Sequence, residues 1–202
     1  MWTRRGLLQR SLTFGGALAA GGALSRSPSR ALAAQVEPEI NDDGLYTQPW
    51  FLQTFLDLGE DLGEAAENGK RLAVIWEQKG CPYCKDMHLV NFADPAINAY
   101  VRENFEVLQF NIHGLRETTD LDGEVLDERS MARRWAIRFT PTVHFFPEDP
   151  AKAAGKTGIE AEVARMPGYF KPPHFLAMFR FVREKAYEQE DFQSFLKRQP
   201  AA

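Results

Sequence analysis

One short apolar run constrains the fold of this chain more than any other feature. Leu72 to Trp76 lies between Gly69 and Gly80, and Cys81-Pro82-Tyr83-Cys84 follows directly. The length and composition of the run are typical of a strand that is buried on both faces. Proline suits the first position of a helix, because its missing N–H has no partner there. The segment therefore predicts a buried strand, a glycine turn and a helix that begins at the first cysteine.

The two cysteines are the only ones in the chain, and helical spacing predicts that they face the same way. As the N-cap, Cys81 would direct its sulfur toward free N–H groups, and these groups and the helix dipole favour negative charge on sulfur. Cys84 would lie at a separation close to that of a disulfide. A thiolate in this position attacks a disulfide, and the second cysteine resolves the mixed disulfide. This predicts a catalytic redox pair that needs no cofactor beyond its own disulfide.

A metal site is the alternative use of the two cysteines. Structural zinc normally takes four protein ligands, and no second cysteine pair exists to complete such a set. Cys81, Cys84 and His88 could instead hold copper, which prefers soft ligands. We interpret His88 as an exposed helix residue and predict no metal, with a copper-binding carrier as the open alternative.

Charge is distributed unevenly along the chain. Residues 1–33 contain five arginines and no acidic residue, whereas the remainder has 19 Lys and Arg residues against 28 Asp and Glu residues. The chain after residue 33 is acidic and has no basic stripe, which argues against binding to nucleic acid and against docking on anionic lipid.

Residues 1–33 are typical of an export signal: a basic start, an apolar stretch from Ser11 to Leu24, and a small-residue site at Ala31-Leu32-Ala33. The apolar stretch is shorter than the roughly 20 residues that span a bilayer, which disfavours the alternative of a membrane anchor. Thr3-Arg4-Arg5-Gly6-Leu7-Leu8 resembles the bacterial twin-arginine signal. That resemblance implies a periplasmic protein that is cleaved after Ala33 or Ala34 and is not inserted in the membrane after processing.

After the signal we predict a lead-in segment at 34–48 and one domain at 49–199. Helical spacing of apolar residues predicts helices at 49–68, at 84–104 with a break near Pro95, at 124–135 and at 172–197. Strands are predicted at 71–78, 105–112, 142–146 and 162–166. Alternating helices and strands, followed by a late hairpin, predict an α/β fold with a mixed central sheet and helices on both faces.

Over residues 49–199 the sequence resembles the thioredoxin superfamily. The matching parts are the Leu72–Trp76 strand, Cys81-Pro82-Tyr83-Cys84, Thr140-Pro141-Thr142 before a strand, and Gly168 before the last helix. The resemblance implies a thioredoxin-like fold and a thiol–disulfide oxidoreductase, with a cis proline at Pro141 against the disulfide. It also implies that Thr140 pairs with an extended substrate strand, near the substrate contacts of Pro82 and Tyr83.

More narrowly, the chain resembles the periplasmic thioredoxins of sulfur-oxidation operons, called SoxW-like. The shared features include Glu77, Gly80-Cys81-Pro82-Tyr83-Cys84-Lys85 and Pro167-Gly168-Tyr169. This resemblance implies reduction of disulfides in periplasmic partner proteins, with electrons from a membrane thiol transporter. An oxidase or isomerase of the same fold is the alternative direction of the reaction.

The chain departs from thioredoxins at the residue that assists the second cysteine. Ile75 stands where thioredoxins place a buried aspartate, and Glu77 lies two residues later on the same side of the strand. Glu77 is either a proton acceptor for Cys84, acting through water, or a solvated residue at the strand's end.

Overall fold

The computed structural model describes residues 38–199. Its strands are β1 Glu39–Ile40, β2 Tyr46–Thr47, β3 Arg71–Glu77, β4 Phe105–Asn111, β5 Glu117–Thr119, β6 Val125–Asp127, β7 Thr142–Phe145 and β8 Ala164–Pro167. Its helices are α1 Leu58–Glu67, α2 Pro82–Asp86, α3 Pro95–Asn104, α4 Glu128–Arg134, α5 Gly158–Ala161, α6 Pro172–Arg183 and α7 Phe192–Arg198. The export signal expected at 1–33 lies outside these residues. Within residues 38–199 no helix has the length and apolar character needed to cross a membrane.

Four strands form the mixed central sheet that the sequence predicts, in the order β4-β3-β7-β8. β3 runs parallel to β4 and antiparallel to β7, and β7 pairs antiparallel with β8. In this register Ile75 lies between Gln109 of β4 and Val143 of β7. The central position of β3 explains why its residues form a short apolar run and not an alternating pattern.

All seven residues of β3 are buried, and alternate side chains enter two separate cores. Leu72, Val74 and Trp76 pack in one core with α1 and α4, while Ala73 and Ile75 pack in the other with α3 and α6. Burial of each large side chain stabilises the fold by about 1.5–3 kcal/mol. The strand therefore anchors both layers of helices, and its end at Glu77 is held firmly below the cysteine turn.

The first helix is shorter than the sequence predicts. It begins at Leu58 and not at Pro49, because the Asp57 side chain caps it by accepting hydrogen bonds from the N–H groups of Gly59 and Glu60. Leu56 has a positive φ of 62°, which is incompatible with a continuous helix. The preceding residues are irregular, although Phe51 is still buried in the core.

The predicted long final helix is two helices. Lys185 adopts a left-handed conformation with φ 56°, which ends α6. Asp191 then caps α7 by accepting a hydrogen bond from the N–H of Ser194. The rings of Phe181 and Phe195 lie 5.3 Å apart, so α7 folds back against α6.

Two small hairpins occupy segments for which the sequence predicts no strand: the lead-in at 34–48, and residues 117–127, which overlap the start of the helix predicted at 124–135. β1 and β2 form the first, and it is followed by the buried Gln48. β5 and β6 form the second. Asp127 at its end caps α4, which therefore begins at Glu128 and not at Glu124. Strands of two or three residues are too short to produce a recognisable period in a sequence.

Candidate functional site

The cysteine turn has the local geometry that the sequence predicts. Gly80 has φ +76°, a conformation that favours glycine, and it turns the chain from β3 into α2. Cys81 is the N-cap of α2, and Pro82 is the first helical residue. The backbone N–H of Cys84 donates a hydrogen bond to Cys81 Sγ over 3.1 Å. One free N–H group of the helix start therefore points toward the first sulfur.

Cys81 and Cys84 are joined by a disulfide, with their Cα atoms 5.3 Å apart. The two sulfurs differ in access: Cys84 is only 4% exposed, whereas Cys81 is partly exposed. An external thiol or disulfide can therefore approach Cys81, while Cys84 can be reached only from within the pair.

The loop before β7 lies against Cys81. The carbonyl oxygen and the hydroxyl Oγ1 of Thr140 are each 3.4 Å from Cys81 Sγ, and the Thr140–Pro141 peptide bond is cis. Gln78 Nε2 donates a hydrogen bond to the same hydroxyl over 3.0 Å. Pro141 is buried, and its carbonyl oxygen accepts from Gly168 N–H over 2.7 Å. Thr140 and Pro141 are thus brought to the cysteine pair, as the family resemblance implies.

An aromatic wall stands beside the pair. Tyr83 is 58% exposed, and its ring stacks on that of Tyr169 with centroids 6.0 Å apart and planes at 14°. The Tyr169 hydroxyl donates to Asn91 Oδ1 over 3.0 Å, which fixes the ring. Burial and, to a smaller extent, the charge of Asp86 raise the pKa of Tyr169, so its phenol stays protonated at neutral pH. Stacking onto this ring restricts the movement of Tyr83 next to the disulfide.

Glu77 is fully buried, so its interpretation as a solvated residue is wrong. His88 Nε2 lies 3.0 Å from Glu77 Oε1, and Gln109 Nε2 donates to Glu77 Oε2 over 2.5 Å. Among the hydrogen bonds of residues 38–199, none joins Glu77 directly to either cysteine. The carboxyl group is nevertheless placed four residues before Cys81, at the end of the strand that leads into the site.

His88 is also fully buried, which contradicts its interpretation as an exposed helix residue. Gln48 Nε2 lies 3.2 Å from His88 Nδ1, while His88 Nε2 contacts Glu77. In this arrangement Gln48 donates to Nδ1, and the ring donates from Nε2 to the carboxylate. Both nitrogens are therefore occupied and not open to a metal. Within the described part of the chain, no group of three His, Cys, Asp or Glu side chains could hold a metal ion.

Sequence reasoning missed the residues that bury His88. The β1–β2 hairpin covers the ring, because Gln48 follows β2 and the Tyr46 ring lies 6.4 Å from the imidazole. Gln109 binds Tyr46 as well, donating to its carbonyl oxygen over 2.6 Å. Gln109 itself carried a signal: it is a polar residue between Leu108 and Phe110 in a strand buried by both cores. A buried amide needs hydrogen-bond partners, and here it has them in Glu77 and the hairpin.

Comparison with known proteins identifies the family. The thioredoxin-like domain family matches residues 58–183. The chain belongs to this family. A search of curated proteins returned no match.

Two solved structures are reported as similar to this chain. A thioredoxin-fold protein from Helicobacter pylori is 21% identical over 64% of this chain and 84% of its own, with a TM-score of 0.51. A thioredoxin from Thermus thermophilus is 24% identical over 63% of this chain and 84% of its own, with a TM-score of 0.47. The first of these supports the thioredoxin-like fold. With the cysteine pair at the start of α2, the fold supports thiol–disulfide oxidoreductase chemistry in general.

Proposed function

We propose that this protein is an exported, SoxW-like reductase that transfers two electrons from Cys81 and Cys84 to disulfides in periplasmic partner proteins. One observation carries the proposal: a partly exposed Cys81 lies at the N-terminus of α2, opposite Thr140, with the buried Cys84 behind it. This arrangement suits attack by one sulfur and resolution by the other.

The reaction balances without a cofactor. The Cys81 thiolate attacks one sulfur of the partner's disulfide, which forms a mixed disulfide and releases the partner's first thiol. Cys84 then attacks Cys81 Sγ, which releases the partner's second thiol and leaves the Cys81–Cys84 disulfide. The backbone N–H of Cys84 that points at Cys81 Sγ favours the thiolate needed in the first step.

Glu77 is the proposed proton acceptor for Cys84 in the second step. Its carboxyl group lies on the side of β3 occupied by Ile75, which is the side where α2 and its π-helical continuation Met87–Asn91 pack. A bridging water is needed, because no direct hydrogen bond joins Glu77 to Cys84 in the described residues. His88 and Gln109 hold the carboxylate in place as positioning residues.

Substrate positioning is assigned to the residues around Cys81. The backbone of Thr140 offers hydrogen-bonding groups to an extended partner segment, next to the sulfur that attacks it. Pro82 and Tyr83 form the exposed surface on the other side.

The proposed location and electron donor come from the sequence. The basic, acid-free segment 1–33 with its Arg4-Arg5 pair supports twin-arginine export. A periplasmic reductase must be reduced again after each turnover, and the SoxW-like resemblance favours a membrane thiol transporter for that step.

Trapping of the mixed disulfide tests the proposal. Mature protein carrying Cys84→Ser is incubated in its reduced form with a periplasmic extract, and covalent complexes are isolated by non-reducing electrophoresis and identified by mass spectrometry. We expect partner cysteines joined to Cys81. The matched control, Cys81→Ser with Cys84→Ser, should capture none. Recovery of no Cys81-linked partner, or of equal amounts with the control, would contradict the proposal.

A further inference from the structure

An open groove of about 700 Å³ lies next to the redox site, and nothing in the proposed exchange reaction uses it. We name it the Tyr169 groove. It is lined by residues 169–171 and His174 at the start of α6, and by Phe192, Gln193, Leu196 and Lys197 of α7. Tyr169 belongs both to this groove and to the aromatic wall, where it stacks on Tyr83. The groove and the cysteine turn therefore form one continuous surface.

The floor of the Tyr169 groove is apolar. The rings of Phe170 and Phe192 stack with centroids 6.2 Å apart, and Leu196 lies beside them. These side chains are only partly buried against the core. A partner side chain placed over them would remove further apolar surface from water, which is favourable by about 25 cal/mol for each Å².

The rim of the Tyr169 groove is basic, with Lys171, His174 and Lys197 and no acidic lining residue. None of the three takes part in an ion pair among residues 38–199. The nearby basic residues Arg165 and Arg198 are paired, with Glu162 and Glu190 respectively. Two acidic groups, Asp86 and Asp191, interact electrostatically with Tyr169 and Lys197 respectively but do not line the groove.

This rim is unusual for the molecule, because residues 34–202 carry 28 acidic against 19 basic residues. Two unpaired lysines beside an apolar floor match a ligand with carboxylates around an apolar side chain. The chain's own segment 1–33 does not match, since it contains five arginines and no acid.

We propose that the Tyr169 groove docks an acidic, apolar segment of the partner protein that flanks the disulfide attacked by Cys81. This inference rests on the proposed function and names the substrate class of the same site. α7 supplies half of the groove and lies outside the family match at 58–183. The groove is thus an addition to the shared domain, and it selects among disulfides that the common cysteine turn would reduce alike.

Two synthetic peptides test the proposal in single-turnover reduction by the full dithiol protein. Each has one cysteine in a mixed disulfide with 2-nitro-5-thiobenzoate, next to a phenylalanine, and they differ only in three flanking aspartates or three flanking asparagines. The dithiol supplies two electrons, so each turnover yields the peptide thiol, the coloured thiolate and the Cys81–Cys84 disulfide. At low salt we expect the aspartate peptide to react about tenfold faster, and added salt to reduce the difference.

Reversal of the charges of the groove lysines tests whether the groove causes the preference for the aspartate peptide. Lys171→Glu with Lys197→Glu should abolish or invert the preference for the aspartate peptide over the asparagine peptide. The matched control is Arg102→Glu with Lys156→Glu, which makes the same charge change at two exposed residues away from the groove and should keep the preference.

The outcomes separate this proposal from the proposed function. Equal rates for the two peptides, or a preference lost equally in the control variant, would overturn the groove assignment and leave the reductase proposal intact. Failure to reduce either peptide would overturn the reductase proposal itself. Binding to vesicles of anionic phospholipid, or a dimer that the Lys171→Glu/Lys197→Glu variant dissociates, would assign the groove to a lipid surface or to a second copy.

Discussion

Two buried histidine–glutamate contacts lie on opposite faces of the central sheet, and they differ in how completely they are satisfied. His88 and Glu77 are both fully buried, and Gln48 and Gln109 bind their remaining atoms. His144 is equally buried, but its Nδ1 is 2.7 Å from Glu162 without an aligned N–H, and its Nε2 has no partner within residues 38–199.

The surroundings of His144 explain why its ring carries no charge at neutral pH. Its ring packs against Trp135 at 5.1 Å, and burial lowers its pKa, so it stays neutral at pH 7. Burial alone would raise the pKa of Glu162, but contacts with His144 and Arg165 outweigh it and lower that pKa. Glu162 remains partly exposed, so water and Arg165 satisfy it without the histidine. This contact is an ordinary feature of a packed core.

The comparison shows where this fold contains a polar network whose burial is unfavourable in free energy. Burying a carboxylate without partners costs several kcal/mol, and of the two contacts only that of Glu77 has both side chains fully buried. That network joins Glu77, at the end of β3, to His88 in the π-helical segment after Cys84, whereas His144 lies on β7 within the sheet. Four comparisons between variants test whether the two contacts differ as described.

The largest expected effect is at the cysteine pair above the Glu77 network. Cys81→Ser removes the attacking sulfur and should reduce disulfide exchange by more than about a thousandfold, measured as insulin reduction with dithiothreitol as donor. His144→Phe, on the other face, should keep full activity. Residual exchange above background in the Cys81→Ser protein would show that Cys84 is accessible from outside.

Replacement of each histidine should change the free energy of unfolding by different amounts at the two contacts. His88→Phe leaves Glu77 buried without its ring donor and should lower the free energy of unfolding by about 2–4 kcal/mol. His144→Phe removes two poorly satisfied nitrogens from an apolar site and should change it by less than about 1 kcal/mol. Urea unfolding followed by tryptophan fluorescence measures both, and equal losses would remove the distinction.

Replacement of each glutamate should show that the two contacts differ in their effect on the rate of disulfide exchange. Glu77→Gln keeps the shape but removes the proton acceptor, so resolution of the mixed disulfide should slow by about 10- to 100-fold. The rate is measured by stopped flow, as release of the second thiol from a trapped peptide. Glu162→Gln is the matched control and should stay within about twofold of the wild-type rate. A Glu77→Gln protein with unchanged resolution would reduce Glu77 to a structural role.

Asp61 provides a third carboxyl group for the comparison, and this group is buried. It lies on the same side of the sheet as His144, but among the described residues no histidine is bound to it. Burial, partly offset by a hydrogen bond from Thr54, raises the pKa of Asp61 from 3.8 to about 6. At Asp61 the folded state therefore binds more protons than the unfolded state between these values, and the contribution of Asp61 to stability falls as pH rises through this window. Above it, the ionised carboxylate lowers the stability of the fold.

Asp61→Asn should remove that dependence and raise the free energy of unfolding at pH 7 by about 1–2 kcal/mol. Urea unfolding at pH 4 and pH 7 provides the measurement. Glu67→Gln, at an exposed residue of the same helix, is the control and should leave the wild-type pH dependence in place. Equal pH dependence of stability in the wild-type and Asp61→Asn proteins would refute the Asp61 account.

The parts of the molecule that local chemistry determines could be predicted from the sequence. Leu72 to Trp76 predicted the central strand, and Pro82 predicted the helix start with Cys81 as its cap. Each of these signals lies within a few neighbouring residues. The broken final helix gave no such signal, because Lys185 takes a left-handed conformation without being glycine or asparagine.

The polar network could be predicted only in part. Strand alternation placed Glu77 on the correct side, but its burial depends on Gln109, which the strand register brings opposite Ile75. The burial of His88 depends on Gln48, which is 40 residues away. Contacts between such distant residues leave no periodicity in a sequence, and for this reason an exposed His88 was the natural expectation.

The reduction potential of the Cys81–Cys84 pair tests the central claim most directly. Mature protein is equilibrated with glutathione or dithiothreitol buffers, and the fraction of disulfide is measured by thiol alkylation and mass spectrometry. A reductase supplied by a donor should give a value between roughly −270 and −200 mV. A value near about −120 mV, typical of a strong oxidant, would contradict the account, as would a pair that forms no disulfide.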